Sequence, residues 1–125
     1  QNVKIEELAN RLKVTFVEKI LFKTGAARIV PRGKKLLLDL AKALRDEEEH
    51  YILVEGHTDN VPIGPVLTQR YPTNWELSTA RAVSVVHFLI DQGIAPQRLS
   101  ATGFGEFHPI DPATGVPAGA TKSTP

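Results

Sequence analysis

The sequence contains no cysteine, almost no excess charge of either sign and no long apolar run. Because none of its 125 residues is cysteine, disulfides, zinc knuckles and thiol nucleophiles are excluded. The 15 basic and 14 acidic residues leave a net charge of +1, which excludes an acidic tail and a nucleic-acid module that works by neutralising phosphates. The sequence contains no stretch of about 18 consecutive apolar residues, the length that predicts a membrane-spanning helix. Since the chain begins at Gln1 rather than Met, we expect it to be a piece of a longer protein.

Hydrophobic residues make up 42% of the chain, enough for one domain with a single core. Alternating β-branched and aromatic residues predict strands, and apolar residues three and four positions apart predict helices. The predicted order is strand, helix, strand, helix, strand, at residues 13–22, 34–45, 51–56, 73–92 and 98–103. This order is typical of a two-layer α/β domain (βαβαβ) with right-handed crossovers.

The second helix has two candidate starting points. Thr73 and Glu76 fit a capping box, and Ser78 is the other plausible N-cap. The helix is expected to end near Gln92, before Gly93. Its buried face is predicted to consist of four apolar residues, Val83, Val86, Leu89 and Ile90.

Three segments are expected along the chain. Residues 1–12 are expected to be a linker or the end of a helix, because Val3, Ile5 and Leu8 form a weak helical face. Residues 13–110 are expected to form the folded domain. Residues 111–125 hold proline and glycine without apolar periodicity, which predicts a flexible or divergent tail.

Candidate binding residues lie at the ends of two predicted elements. Residues 57–59 (His-Thr-Asp) follow the second strand, and Asn74, Leu77, Ser78 and Arg81 lie near the start of the second helix. Ligands of α/β sheets bind beyond the carboxyl ends of strands, and helix N-termini offer amide donors to a carboxylate. We expect the long loop between the two groups to bring them together.

Asp59 and Arg81 suggest a specific kind of ligand. A guanidinium binds a carboxylate through two hydrogen bonds, and a carboxylate binds an ammonium. Together they can recognise a zwitterion, the head group of a free amino acid. The alternative is that Asp59 and Arg81 pair with each other as a salt bridge.

The residues predict no catalytic group, no metal and no cofactor. His57 and Asp59 resemble part of a metal site, but no second histidine follows at ligand spacing. No G-x-S-x-G nucleophile elbow occurs, and residues 103–105 (Gly-Phe-Gly) are half of a dinucleotide fingerprint with no helix after them. Trp75 is either a ligand platform or, as lone tryptophans at helix starts more often are, a packing anchor.

Three segments of the sequence resemble the OmpA-like domain, the peptidoglycan-binding module of outer-membrane proteins, Pal-type lipoproteins and the flagellar stator protein MotB. They match the family's G-H-T-D turn, its N-x-x-L-S-x-x-R-A helix start and its R-x-x-x-x-G-x-G-E strand end, and they are residues 54–62, 74–82 and 98–106. The resemblance implies a mixed sheet with helices on one face.

The resemblance also implies a function. The family binds the stem peptide of peptidoglycan without cleaving it, and its ligand is the zwitterionic end of meso-diaminopimelate. By motif position, Asp59 is expected to bind the ammonium and Arg81 the carboxylate. Thr58, Asn74 and the main chain near Leu77 are expected to complete the pocket.

One departure from the family lies after Pro109, where the expected N-R-R-V helical segment and final strand do not follow. Residues 74–78 and the proline-containing loop favour the MotB-type branch, which implies a membrane-anchored parent, a domain in the periplasm of a Gram-negative-type envelope, and a homodimer. Two other functions stay open: a hydrolase acting on the cell wall or on amino-acid conjugates through His57 and Asp59, and a structural dimerisation domain.

Overall fold

The computed structural model describes residues 3–16, 18–23, 25–46, 50–58 and 71–107. Its elements, in chain order, are β1 (Val3–Leu8), β2 (Arg11–Phe16), α1 (Glu18–Leu21), α2 (Pro31–Arg45), β3 (Tyr51–Gly56), α3 (Asn74–Asp91), a 3-10 turn (Pro96–Arg98) and β4 (Leu99–Gly103). None of the helices in these ranges is both long enough and apolar enough to cross a bilayer.

The four strands form one mixed sheet in the order β1-β2-β3-β4. β1 is antiparallel to β2, whereas β2, β3 and β4 are parallel to one another. Two right-handed crossovers that advance in the same direction place α2 and α3 on the same face of the sheet. The predicted fold class, a two-layer α/β domain with a mixed sheet, is therefore confirmed.

The first strand corrects the expectation for the N-terminus. Residues 1–12 were expected to contain a linker or helix end, but Val3–Leu8 pair with Arg11–Phe16 in a hairpin. The two-residue turn places Ala9 at φ 56, a left-handed conformation typical of tight hairpins. The rest of the predicted division into residues 1–12, 13–110 and 111–125 stays a prediction.

The predicted first strand is also shorter than expected. It ends at Phe16, and Glu18–Leu21 form a helical turn where the apolar phase slips. This turn inserts Leu21 into the core and brings its backbone against α2, since a Cβ on Gly33 would lie 2.9 Å from Leu21 Cα.

Helix α2 forms where the sequence predicts it. Pro31 occupies its first turn, where a missing N–H costs nothing. Its predicted apolar residues face the sheet, and they are all buried: Leu37, Leu40, Ala41 and Leu44.

Helix α3 starts at the capping box rather than at Ser78. The Thr73 side chain accepts from α3 backbone amides, and Glu76 accepts from the Thr73 N–H at 2.8 Å. The predicted buried face is only partly right, because Val83 is 39% exposed. The buried side of α3 includes the polar residues Ser78 and Arg81. The prediction from apolar periodicity alone therefore placed the buried side at the wrong angle around the helix.

The core lies between the helices and one face of the sheet. Side chains alternate along β2 and β3, so every second residue points at the helices. The buried apolar residues of these strands are Leu12, Val14, Phe16, Ile52 and Val54, and they pack with Ala82, Val85 and Leu89 of α3.

Candidate functional site

The end of β3 lies directly against the start of α3. A Cβ added to Gly56 would be 2.2 Å from the carbonyl oxygen of Ser78, so only glycine permits this approach. The glycine of the G-H-T-D turn therefore sets how closely residues 57 and 58 approach the helix.

Hydrogen bonds join the three motifs that the sequence singled out. The Thr58 N–H donates to the Gly105 carbonyl at 2.9 Å, and the Phe104 N–H donates to the Gly56 carbonyl at 2.9 Å. The Gly105 N–H in turn donates to the fully buried Ser78 hydroxyl at 2.9 Å. The predicted meeting of the strand end with the helix start is thus observed, with β4 as a third contributor.

Thr58 and Asn74 lie at this junction. Thr58 is 5% exposed, and its hydroxyl oxygen has no hydrogen-bond partner among the residues that the structure describes. The buried Asn74 side chain donates to Glu106 Oε1 at 3.3 Å. A buried polar oxygen without a partner is costly, which makes Thr58 a ready partner for a bound polar group.

Leu77 and Asp59 are two further residues of the predicted site. Leu77 is buried, and its main-chain N–H donates to the Thr73 carbonyl at 3.2 Å. Because the Trp75 amide also donates to Thr73, at 3.2 Å, the helix start uses these donors for its own cap. Asp59 lies outside the described residues, so its role stays a prediction, as do the roles of the other site residues.

Arg81 is enclosed by the segment between α1 and α2. Its Nε donates to the Ala26 carbonyl at 2.8 Å and its Nη2 to the Lys23 carbonyl at 3.2 Å. Its Nη1 lies 3.1 Å from Glu18 Oε2, and the guanidinium stacks over Phe22 at 5.1 Å. Arg81 is 6% exposed. The ion pair that the described residues give Arg81 is therefore with Glu18.

Sequence reasoning missed Glu18 and the carbonyls that surround Arg81. The Ser84 hydroxyl adds a further bond of this kind, to the Ala27 carbonyl at 2.6 Å. Carbonyl partners leave no trace in the sequence. The sequence offers one signal, because the alternation of apolar and polar residues in the predicted first strand breaks at the acidic residue Glu18.

His57 belongs to a buried polar cluster. Its Nε2 lies 3.2 Å from Glu55 Oε1, and its ring stacks on Phe104 with centroids 5.0 Å apart. Lys13 Nζ lies 3.9 Å from the other Glu55 oxygen. Within the described ranges, no three His, Asp or Glu side chains are grouped as metal ligands.

A groove of about 780 Å³ runs along the outer side of α3. It is lined by residues of the segment before α2 and by the exposed side of α3, including Ala26, Ile29, Val83 and His87. Thr58 is not among the residues that line it.

Trp75 forms an exposed aromatic pair with Phe107. The ring centroids lie 5.2 Å apart with 25° between the planes. Both rings pack over the turn at Gly105, where φ is 63° and a Cβ would lie 3.3 Å from the indole. Trp75 is nevertheless 46% exposed and Phe107 61% exposed, so Trp75 is not a buried anchor.

The sequence is similar to known proteins over the part of the chain that contains these motifs. The OmpA family model matches residues 21–120, which extends beyond Pro109 into the segment expected to be a tail. Motility protein B of Bacillus subtilis is 32% identical over 100 residues, covering 79% of this chain and 37% of that protein. The chain thus spans well under half the length of this curated relative.

Solved structures show the same fold. A putative MotB-like protein from Desulfovibrio vulgaris superposes with a TM-score of 0.76 at 30% identity, covering 90% of this chain and 68% of the other. The cell wall anchor of the T6SS from Pseudomonas aeruginosa superposes with a TM-score of 0.74 at 36% identity, covering 88% and 74%. With the family model spanning most of the sequence, these matches show that the chain belongs to the OmpA family and carries an OmpA-like domain of the MotB type.

Proposed function

We propose that this domain binds peptidoglycan without cleaving it and anchors an envelope or flagellar stator protein to the cell wall. Its ligand is the diaminopimelate of the stem peptide. The observation that carries the proposal is the hydrogen-bonded junction of Thr58, Ser78 and Gly105. Family membership and the likeness to a cell wall anchor support it.

The two charges of diaminopimelate have separate partners in this proposal. Asp59 binds the ammonium, and Arg81 binds the carboxylate. The described contacts of Arg81 use Nε and one position on each Nη. Since a guanidinium carries five N–H groups, the second hydrogen of each Nη is the donor for the ligand. Thr58 Oγ1 and Asn74 supply hydrogen bonds, and the main chain near Leu77 completes the pocket.

The proposal extends to the parent protein. A membrane-anchored parent would hold the domain in the periplasm, and a homodimer would present two such sites to the wall. The relatives of this chain include a protein from Bacillus subtilis. The Gram-negative type of envelope therefore stays a prediction.

Calorimetric titration with two stem tripeptides tests the ligand. One contains diaminopimelate at its third position, and the other contains lysine, which keeps the ammonium but lacks the carboxylate. We expect the first to bind at least tenfold more tightly, because the lysine peptide leaves Arg81 without its ligand. Equal binding of both peptides contradicts diaminopimelate recognition, and no binding of either contradicts the proposal.

Charge-removing variants test the residues. Asp59→Asn keeps the side-chain shape and is expected to weaken tripeptide binding at least tenfold. Asp39→Asn, at an exposed position of α2, makes the same change elsewhere and is the matched control. Unchanged binding by Asp59→Asn contradicts the assigned role. Release of soluble fragments from sacculi would instead support the alternative function, a hydrolase that acts through His57 and Asp59.

A further inference from the structure

The Trp75–Phe107 pair lies next to the proposed peptide pocket. Asn74 of the pocket directly precedes Trp75, and its partner Glu106 directly precedes Phe107. The turn that supports both rings is the same Gly105 that bonds to Thr58 and Ser78. The pair and the pocket are therefore built on one backbone junction.

The pair is held in place while its rings stay open to solvent. Gly105 is fixed on both sides by hydrogen bonds, and its φ of 63° is a conformation that glycine adopts without strain. Contiguous exposed apolar patches mark interaction sites, whereas single exposed apolar residues are ordinary, and the two rings form one contiguous patch.

We propose that Trp75 and Phe107 form a stacking platform for a sugar ring of the glycan strand, an inference that rests on the proposed binding of peptidoglycan. One face of a pyranose carries axial C–H groups, which are apolar and slightly positive. Such a face matches the negative face of an aromatic ring. The flanking carboxylate of Glu106 accepts hydrogen bonds, and sugar hydroxyls and N-acetyl amides are donors.

Other occupants agree less well with the patch. Two aromatic side chains bury at most about 500 Å² together, which is less than the roughly 800 Å² per partner of a stable protein interface. The adjacent Glu76 and Glu106 disfavour an anionic lipid surface. A sugar ring matches the size of the pair and its acidic surroundings.

The spacing within peptidoglycan also agrees with the proposal. The lactyl group and two amino acids separate the sugar from diaminopimelate. Because an extended chain spans at most about 3.3–3.6 Å for each unit, these three units let the sugar lie up to about 10 Å from the diaminopimelate. The platform begins one residue away from Asn74, on the rim of that pocket.

Trp75 is the only tryptophan in the chain, so its fluorescence reports on the platform alone. We expect a disaccharide-tripeptide to change the emission of Trp75, and glycan strands stripped of peptide to do the same at higher concentration. The free tripeptide is expected to leave the emission unchanged. If neither sugar-containing ligand alters the emission while the tripeptide binds in the calorimeter, the platform is refuted and the proposed function stands.

Two variants and a control complete the test by calorimetry. Trp75→Ala and Phe107→Ala are each expected to weaken disaccharide-tripeptide binding about tenfold and to leave tripeptide binding within twofold. Val83→Ala removes an exposed apolar side chain from the outer side of α3 and should change neither. An equal loss for both ligands, or no loss for either, overturns the platform. Failure of the wild type to bind tripeptide while glycan still changes Trp75 emission overturns the proposed recognition of diaminopimelate and leaves the platform standing.

Discussion

Replacing Arg81 with alanine should destabilise the fold strongly as well as affecting ligand binding. The guanidinium pairs with Glu18 at 3.1 Å, and it donates to the carbonyls of Ala26 and Lys23. The side chains of Arg81 and Glu18 are only 7% and 13% exposed, so solvent screens the pair weakly. Truncating one member of such a pair costs about 3–5 kcal/mol, and each carbonyl left without its donor adds to the loss.

Because these losses share one side chain, they do not add fully, and we expect a total of about 4–5 kcal/mol. Single domains are stable by about 5–15 kcal/mol, so the variant would lose a large fraction of its stability. For a chain of this length, each kcal/mol lowers Tm by roughly 3–5 °C, so a loss of about 4–5 kcal/mol gives a decrease of about 12–25 °C. Urea unfolding followed by circular dichroism measures the difference directly.

Two other variants give this experiment its controls. Arg32→Ala removes an exposed arginine of α2 and should change stability by less than about 0.5 kcal/mol. Arg81→Lys keeps the positive charge but loses the planar set of donors, so it should lie between the wild type and Arg81→Ala. If Arg81→Ala unfolds within about 1 kcal/mol of the wild type, the guanidinium does not hold the segment between α1 and α2.

Three further predictions follow from single contacts. Gly56→Ala should destabilise by several kcal/mol, on the order of a severe core defect, because the new Cβ would meet a backbone carbonyl of α3 at 2.2 Å; unfolding near the wild-type midpoint contradicts the close approach. Thr73→Ala should cost about 1 kcal/mol in thermal or urea unfolding at pH 7. The Thr73 hydroxyl donates to the Glu76 carboxylate and lowers the pKa of Glu76 below its ordinary value of 4.5. The stabilisation from this bond is therefore present above pH 4.5 and is lost as the pH falls through the lowered pKa; a Thr73→Ala deficit that stays constant throughout an acid titration contradicts the bond. Glu18→Gln should raise the preference of the domain for the diaminopimelate tripeptide over the lysine tripeptide by about one order of magnitude, since it removes a carboxylate that competes for Arg81; an unchanged ratio in calorimetry contradicts that competition.

The fold could be predicted where the sequence follows one period throughout an element. Helix α2 and strand β3 meet this condition: β3 has the predicted bounds, and α2 ends at the predicted residue but begins three residues earlier, at Pro31. β1 was missed because its turn, Ala9-Asn10, lacks the glycine that usually signals a hairpin. The face of α3 was misjudged because Arg81, a charged residue, lies in the buried stripe.

The site could be predicted as a meeting of motifs, but not as a set of contacts. Parallel strands end at one edge of a sheet, so the order of elements was enough to bring Thr58 near the start of α3. The partner of Arg81 could not be predicted in this way. Glu18 lies in a helical turn that a strand pattern concealed, and backbone carbonyls pair with arginine without any sequence signature.

In the proposed function, Arg81 would serve both recognition and stability. A charge that binds a ligand carboxylate must be kept in a fixed orientation, and here the orientation comes from Glu18 and two carbonyls that are buried with it. The same contacts lower the positive charge available to the ligand, because Glu18 already neutralises it. If Asp59 also contributes as proposed, two carboxylates and one guanidinium would make the proposed site net negative, and we propose that it attracts the ammonium first and selects the carboxylate through the remaining N–H groups of Arg81. Loss of binding by an Arg81 variant identifies a ligand contact only when its unfolding shows that the segment held by this side chain is still in place.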